Sequence, residues 1–229
     1  MKRFWRHAAA VAHGDAWAVE LDGRGLRTPA RAQFVVPNEA LAQAVAKEWD
    51  EAGDKIDARA MRFTGLANAA IDRIAPELGT VARDLARYAE TDLLCYRAEA
   101  PPALAMRQEE SWGPLLAWAR SRYDVDFRVT GGVAHVAQPL ETVERLANAV
   151  AALDPFRLAA LAPLVTIGGS LVTALALLEG AVTADEAWEA VSIDERWQLE
   201  QWGADAEAET ALANRRRDFM AASDFQKLL

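Results

Sequence analysis

Carboxylate side chains occur in close groups at four places in the sequence, and paired carboxylates are the simplest chemistry that the chain could support. The groups are Glu48 with Asp50 and Glu51, Glu90 with Asp92, Glu109 with Glu110, and Asp194 with Glu195. Two such side chains can act as a general acid and a general base when a cleft shifts their pKa values apart. No feature of the surrounding sequence predicts such a cleft. A hydrolase-type enzyme that uses clustered carboxylates is therefore kept as the alternative interpretation.

The other reactive residue types are scattered along the chain. Cys95 lies in the apolar stretch DLLCYR, where a small buried side chain is expected. Ser170 in IGGSLV lacks the second glycine of a nucleophile elbow. The three histidines, His7, His13 and His135, do not share ligand spacing on one helix, so a zinc site would need carboxylates from elsewhere. No phosphate-binding loop is present. The sequence predicts no catalytic residue, no metal, no cofactor and no small-molecule substrate.

The charge balance narrows the classes of partner. The chain has 34 acidic and 25 basic residues, a formal net charge of −9. Nucleic-acid-binding proteins need a basic face against phosphates, so this balance argues against them, and it also argues against attraction to anionic lipid. An acidic chain is compatible with a partner protein that has a basic surface.

The cysteine count and the N-terminal sequence bear on the cell compartment. The single cysteine excludes an intramolecular disulfide, and MKRFWRHAAAVAHGDAW lacks the apolar segment of a secretory signal, so we expect an intracellular protein.

One uncharged segment is long enough to cross a bilayer. It runs over 158–178, LAALAPLVTIGGSLVTALALL. Pro163 and the Gly168-Gly169 pair interrupt it, and both residue types disfavour a continuous helix. The segment is therefore predicted to form two short buried helices, with no stable membrane insertion.

The beginning of the chain has the patterns of β-structure. In AWAVEL, residues 16–21, apolar side chains alternate with smaller or polar ones, as in a half-buried strand. Asp22-Gly23 follows as a hairpin signal, and FVV at 34–36 is another short β-branched run.

A helix is predicted directly after these strands. Asn38 is a suitable N-cap, the apolar residues Leu41, Val45 and Trp49 repeat at four-residue spacing, and Gly53 ends the pattern.

The rest of the chain is predicted to be mainly helical. Amphipathic patterns cover 64–74 and 77–90, a further helix is predicted over about 103–122, and VDFRVTGGVAHV at 125–136 is predicted to form a small hairpin. The fold class is therefore α+β. Residues 1–60 form a small β-rich domain with one helix, and residues 61–229 form a larger α-helical domain that contains the hairpin.

Two further helix starts carry capping signals. Asp154 precedes Pro155, which suits a first helical position, and Thr183 with Glu186 forms a capping box. The second signal begins a helix that is predicted to continue through DERWQLEQWG, residues 194–203.

That helix carries three tryptophans, and its periodicity assigns them different roles. At 100° per residue, Trp188 and Trp202 fall in one apolar stripe and are predicted to be core residues. Glu195 falls in the same stripe, which indicates either a buried ion pair with an arginine or a functional carboxylate beside a groove. Trp197 falls on the opposite, acidic face. It could pack against its own chain or serve as a binding hot spot.

Several stretches, taken in order and with their spacing, resemble the assembly chaperone family that binds the alpha subunit of ATP synthase. They are KRFW at 2–5, LDGRGLRTPA at 21–30, VVP at 35–37, EWD at 48–50, LANAAIDR at 66–73, YAETDLLCYRAE at 88–99, GSLVTALALLEG at 169–180 and DERWQLEQWG at 194–203. YAETDLLCYRAE and WQLEQWG are the most distinctive. The resemblance runs from about Lys2 to Gly203.

The resemblance implies a function without catalysis. A member of this family would bind the unassembled alpha subunit, hold it soluble and cover its subunit interface until the beta subunit takes that place. The family is mitochondrial in eukaryotes, and the absence of a transit peptide indicates a bacterial member in the cytoplasm. The acidic segment before WQLEQWG is important in the family, which points to Asp194 and Glu195 here. Trp49 also matches a family position, although a core role is equally consistent with its spacing.

The predicted partner-binding residues all belong to one short segment. They are Asp194, Glu195, Trp197, Gln198, Glu200 and Gln201.

Overall fold

The computed structural model describes residues 3–203 and 205–229. Lys2, where the family resemblance begins, lies outside the described residues. The strands are β1 (Ala8–His13), β2 (Ala16–Leu21), β3 (Arg24–Gly25), β4 (Val35–Val36), β5 (Tyr96–Arg97) and β6 (Thr130–Gly131). The helices are α1 (Glu39–Asp50), α2 (Arg62–Ala69), α3 (Leu78–Ala86), α4 (Pro102–Tyr123), α5 (Leu140–Ala151), α6 (Pro155–Gly168), α7 (Leu171–Leu178), α8 (Ala184–Val191), α9 (Ile193–Trp202) and α10 (Ala206–Lys227). This order confirms the predicted α+β fold class.

The N-terminal sheet is built around β2. Strand β1 pairs with β2 in antiparallel register from Ala8 opposite Leu21 to His13 opposite Ala16, and β3 and β4 also pair with β2. The predicted turn is present between β2 and β3. Asp22 and Gly23 both have positive φ, 49° and 76°, as a tight hairpin turn requires.

The chain divides into two compact units. The first contains the described residues up to Leu78 together with Asp154–Ala160 and Asp224–Leu229. The second contains Gly79–Leu153 and Leu161–Ser223.

Helix α1 supplies much of the core of the first unit. The Asn38 side chain accepts a hydrogen bond from the Leu41 amide at 2.9 Å, as its N-cap position predicts. Trp49 is a core residue, because its ring is buried and its indole donates to Thr64 Oγ1 at 3.1 Å. The C-terminal segment completes this core through Phe225, which is fully buried among these residues.

The long apolar segment forms two short helices, as predicted, and the break lies at the Gly168-Gly169 pair and not at Pro163. Pro163 is inside α6 and does not end it. The turn to α7 is made by Gly169, whose φ of 69° suits glycine, and by Ser170, whose hydroxyl accepts from the Thr173 amide at 3.0 Å. Across residues 3–203 and 205–229, no helix is both long and apolar enough to span a bilayer.

The predicted hairpin at 125–136 is wrong. Only Thr130–Gly131 forms a strand there, and it pairs in parallel with Tyr96–Arg97. The reason is a side chain that takes the place of the returning strand. Gln138 donates to the Arg128 carbonyl and accepts from the Arg128 amide, both at 2.9 Å. The backbone of residues 133–137 is therefore not required for pairing.

Candidate functional site

The site is built on a break between α8 and α9 that the sequence prediction did not contain. The capping box at Thr183 and Glu186 starts α8 as predicted. The helix ends at Ser192, whose amide and hydroxyl both donate to the Trp188 carbonyl, at 3.1 and 2.7 Å. The adjacent Ala190 carbonyl accepts from the Trp112 indole of α4 at 2.7 Å instead of from a continuing helix. Helix α9 therefore begins anew at Ile193.

The break changes which side chains of the tryptophan-rich segment are buried. Trp188, on α8, is a core residue as predicted, and its ring lies 5.5 Å from that of Phe219. Trp202 was predicted to be core, but it is 80% exposed. Ile193, the first residue of α9, is buried. Because α9 is a separate helix, the angular phase counted from Trp188 does not carry through to its residues.

Asp194 connects α9 to α4 through a buried glutamine. The Gln108 amide group donates to Asp194 Oδ1 at 2.7 Å, and the Gln108 carbonyl oxygen accepts from the Ala98 amide at 2.7 Å. Gln108 is only 2% exposed, so it has no access to water as an alternative partner. Burial raises the pKa of Asp194, and the Glu195 charge raises it further, while the hydrogen bond from Gln108 opposes the shift.

Glu195 connects α9 to α10. Its carboxylate pairs with Arg215 Nη1 at 2.6 Å, and Arg215 Nη2 also donates to the Ile167 carbonyl at 2.9 Å. The predicted ion pair with an arginine of another helix is therefore present. It is not buried, since the Arg215 and Glu195 side chains are 40% and 38% exposed. Such half-exposed pairs contribute little stability, so the pair mainly orients the helix.

Trp197 and Glu200 hold a second arginine from α4. Arg107 makes two hydrogen bonds to the Glu200 carboxylate, at 2.7 and 3.0 Å, and its guanidinium lies 6.0 Å from the centre of the Trp197 ring. The Arg107 hydrogen bond lowers the pKa of Glu200. Trp197 is half-buried and packs against its own chain.

The last turn of α9 is open to solvent. Gln198, Gln201 and Trp202 are exposed, and Gly203 ends the helix with a φ of 84°. The six residues predicted for partner binding are therefore of two kinds. Asp194, Glu195 and Trp197 hold the helix in place, Glu200 does so from an exposed position, and Gln198 and Gln201 are free to meet another molecule. Trp202 joins this second group. The sequence indicated that the helix ends here, because Gly203 directly follows Trp202. The exposure of Trp202 was not predicted, because a single continuous helix from Thr183 was assumed.

Two carboxylates of the group at 48–51 accept hydrogen bonds from backbone amides. The Glu48 carboxylate accepts from the amides of Phe63 and Thr64 at the start of α2. Asp50 accepts from the Ala8 amide at 2.6 Å. Each of these carboxylates therefore has a backbone partner that fixes local structure.

Asp92 is the most deeply placed carboxylate and was missed as a structural residue. It is fully buried, and it accepts from the Leu94 amide at 3.1 Å and from the Val172 amide at 2.9 Å. Ser170 and the Leu171 amide also donate to it. Asp92 thereby satisfies the first free amides of α7. Burial raises its pKa to about 6 against the effect of these donors.

The residues considered for nucleophilic or metal chemistry are not arranged for it. Cys95 is fully buried as predicted, and burial raises the pKa of its thiol to about 12, which suppresses the reactive thiolate. Within the described ranges, no three His, Cys, Asp or Glu side chains converge as metal ligands.

We expect Gln108→Leu to lower the free energy of unfolding by about 2 kcal/mol, since it leaves the buried Ala98 amide and the Asp194 carboxylate without a partner. Urea unfolding would measure the loss. Gln198→Leu is the matched control, because this exposed glutamine should change the free energy by less than about 0.5 kcal/mol. Equal effects of the two substitutions would contradict the role assigned to Gln108.

Comparison with known proteins identifies a family model and solved structures that are similar to this chain. The family model described as ATP12 chaperone protein matches residues 2–120, a range that ends before α9. The crystal structure of Atp12 from Paracoccus denitrificans is 43% identical with a TM-score of 0.94, covering 99% of this chain and 97% of that chain. A crystal structure from Agrobacterium tumefaciens is 38% identical with a TM-score of 0.94, covering 99% and 85% of the respective chains.

A curated relative extends the likeness to a eukaryote. The protein named atp12, mitochondrial, from Schizosaccharomyces pombe is 27% identical over 215 residues, which cover 89% of this chain and 74% of that protein. The structural likeness includes α9, since the alignments cover nearly the whole chain.

Proposed function

Since the chain belongs to the ATP12 family of ATP synthase assembly chaperones, we propose that it binds the unassembled alpha subunit of the ATP synthase catalytic head. The family consists of chaperones, not enzymes. The choice of the alpha subunit rests on the sequence resemblance. An unassembled subunit exposes the apolar surface that later meets its neighbour, and such a surface is prone to aggregation. The chaperone covers this surface until the beta subunit replaces it, acting in the cytoplasm.

The observation that carries the proposal is the exposed last turn of α9. Trp202 is 80% exposed, and an isolated tryptophan of this exposure suits a hot spot in a protein interface. Gln198 and Gln201 provide hydrogen-bonding groups beside it.

The other half of α9 supports binding indirectly. Asp194 and Glu195 connect it to α4 and α10, so the binding turn is presented on a fixed helix. A preorganised surface loses less conformational entropy when a partner binds. Glu200, although paired with Arg107, remains about half exposed and can contribute to an acidic rim.

The test is co-expression of the protein with the alpha subunit alone and, separately, with the beta subunit alone. We expect the alpha subunit to co-purify and to elute with the protein in size-exclusion chromatography, whereas the beta subunit alone does not. Addition of the beta subunit to the purified complex should release the chaperone. A complex with beta alone, or with neither subunit, would contradict the proposed function.

A further inference from the structure

A groove with apolar walls lies between α4 and α8 in the second compact unit. Its volume is about 500 Å³. Pro114, Leu115 and Trp118 line it from α4, and Val182 and Ala190 line it from the other side. Trp118 is only half-buried and lines this groove, and its ring packs perpendicular to that of Tyr123, with the ring centres 5.6 Å apart. The α4 side chains that line the groove run from Ser111 to Trp118, about two turns or about 10 Å.

Carboxylates form one rim of the groove. Asp185, Glu186 and Glu189 all lie on α8 and are all exposed. Asp185 pairs with Arg216 at 2.7 Å and Glu189 pairs with Arg196 at 3.2 Å, while Glu186 caps its own helix.

These two ion pairs leave the rim able to accept another cation. The side chains of Asp185 and Glu189 remain 75% and 66% exposed, respectively. Exposed ion pairs contribute little free energy, and each carboxylate has further acceptor positions. A cation from a partner can therefore join or replace the arginine.

The combination of apolar walls and an acidic rim specifies the chemistry of an occupant. We propose that the groove receives an apolar segment of the alpha subunit that carries a lysine or arginine beside its apolar side chains. This rests on the proposed function, and it adds a second contact surface to the last turn of α9. The wall formed by α8 leads directly into α9 through Ser192, so the two surfaces belong to consecutive helices.

Charge reversal on the rim tests the electrostatic part of this proposal. We expect the double variant Asp185→Lys with Glu189→Lys to bind the purified alpha subunit at least about 10-fold more weakly, because it repels the cation. Glu144→Lys, an exposed carboxylate on α5, is the matched control and should bind like the unmodified protein. Glu186 is left unchanged because it belongs to a helix cap. Equal binding by the double variant and the control would overturn the proposal.

Thiol protection tests whether the groove is covered in the complex. Ala181 lines the groove and Ala151 ends α5, and both alanines are exposed. In Ala181→Cys and Ala151→Cys proteins the introduced thiol is the only reactive one, because Cys95 is fully buried. We expect the alpha subunit to slow alkylation of the thiol at position 181 at least about 10-fold and to leave position 151 unaffected.

The outcomes separate this inference from the proposed function. If the unmodified protein binds the alpha subunit while position 181 is alkylated as fast as before, the groove is not the contact surface and the proposed function stands. If the unmodified protein does not bind the alpha subunit, the proposed function and this inference both fail.

Discussion

The Asp92→Ala protein is expected to lose about 3 kcal/mol or more of its free energy of unfolding. The substitution removes the acceptor of the Leu94 and Val172 amides, and both amides lie where water cannot replace it. Each unsatisfied buried donor costs about 1–3 kcal/mol. Thermal and urea unfolding would measure the loss. Glu90→Ala, at an exposed carboxylate two residues earlier, should be nearly neutral.

The raised pKa of Asp92 should also make the free energy of unfolding depend on pH. Burial raises the pKa of Asp92 to about 6 from its ordinary value of 3.8, so between these values the folded chain holds a proton that the unfolded chain has lost. Asp92 therefore contributes stability that is complete below about pH 4 and is lost as the pH rises through about 6.

Asp92→Asn separates the two effects. Asparagine keeps one acceptor oxygen and cannot ionise, so we expect a smaller loss of stability than with alanine. The unmodified protein should lose stability relative to this variant as the pH rises from about 4 to about 6.5. A stability difference that is independent of pH over this interval would contradict the raised pKa.

The second large effect concerns the exposed end of α9. We expect Trp202→Ala to weaken binding of the alpha subunit about 30-fold, corresponding to about 2 kcal/mol, because a tryptophan at an interface centre is a typical hot spot. The melting temperature should be nearly unchanged, since the side chain is 80% exposed in the free protein. Isothermal titration calorimetry and thermal unfolding of the same preparations would measure both quantities.

Two comparisons make this prediction specific. Phe4→Ala removes another exposed aromatic ring, 66% exposed, and should leave the affinity unchanged. Trp197→Ala should instead lower the melting temperature, because the ring packs beneath Arg107. A Trp202→Ala protein that binds normally would show that the last turn of α9 is not the contact.

The parts of the fold that could be predicted depend on contacts within a few residues. Asn38, Asp154 and Thr183 cap helices as expected, because a cap uses amides two or three residues away. The Asp22-Gly23 turn is also present as expected, because a two-residue turn depends on the backbone of those two residues alone.

The parts that could not be predicted depend on contacts distant in sequence. The carbonyl at the end of α8 is satisfied by Trp112, and Gln138 takes the place of a strand beside Arg128. Neither partner can be recognised from local periodicity. The break between α8 and α9, at which the first of these contacts lies, is the reason that the periodicity counted from Trp188 did not predict the exposure of Trp202.

The placement of Phe225 has a consequence for synthesis of the chain on the ribosome. This ring is fully buried in the core built mainly by residues before Leu78, and the Asn38 side chain donates to the Leu228 carbonyl at 2.6 Å. The sheet and α1 emerge early but lack part of their core until Asp224–Leu229 has been translated. The first unit therefore cannot complete its core while the chain is still being synthesised. A nascent chain that ends near Leu78 exposes the apolar side chains that Phe225 covers in the finished protein.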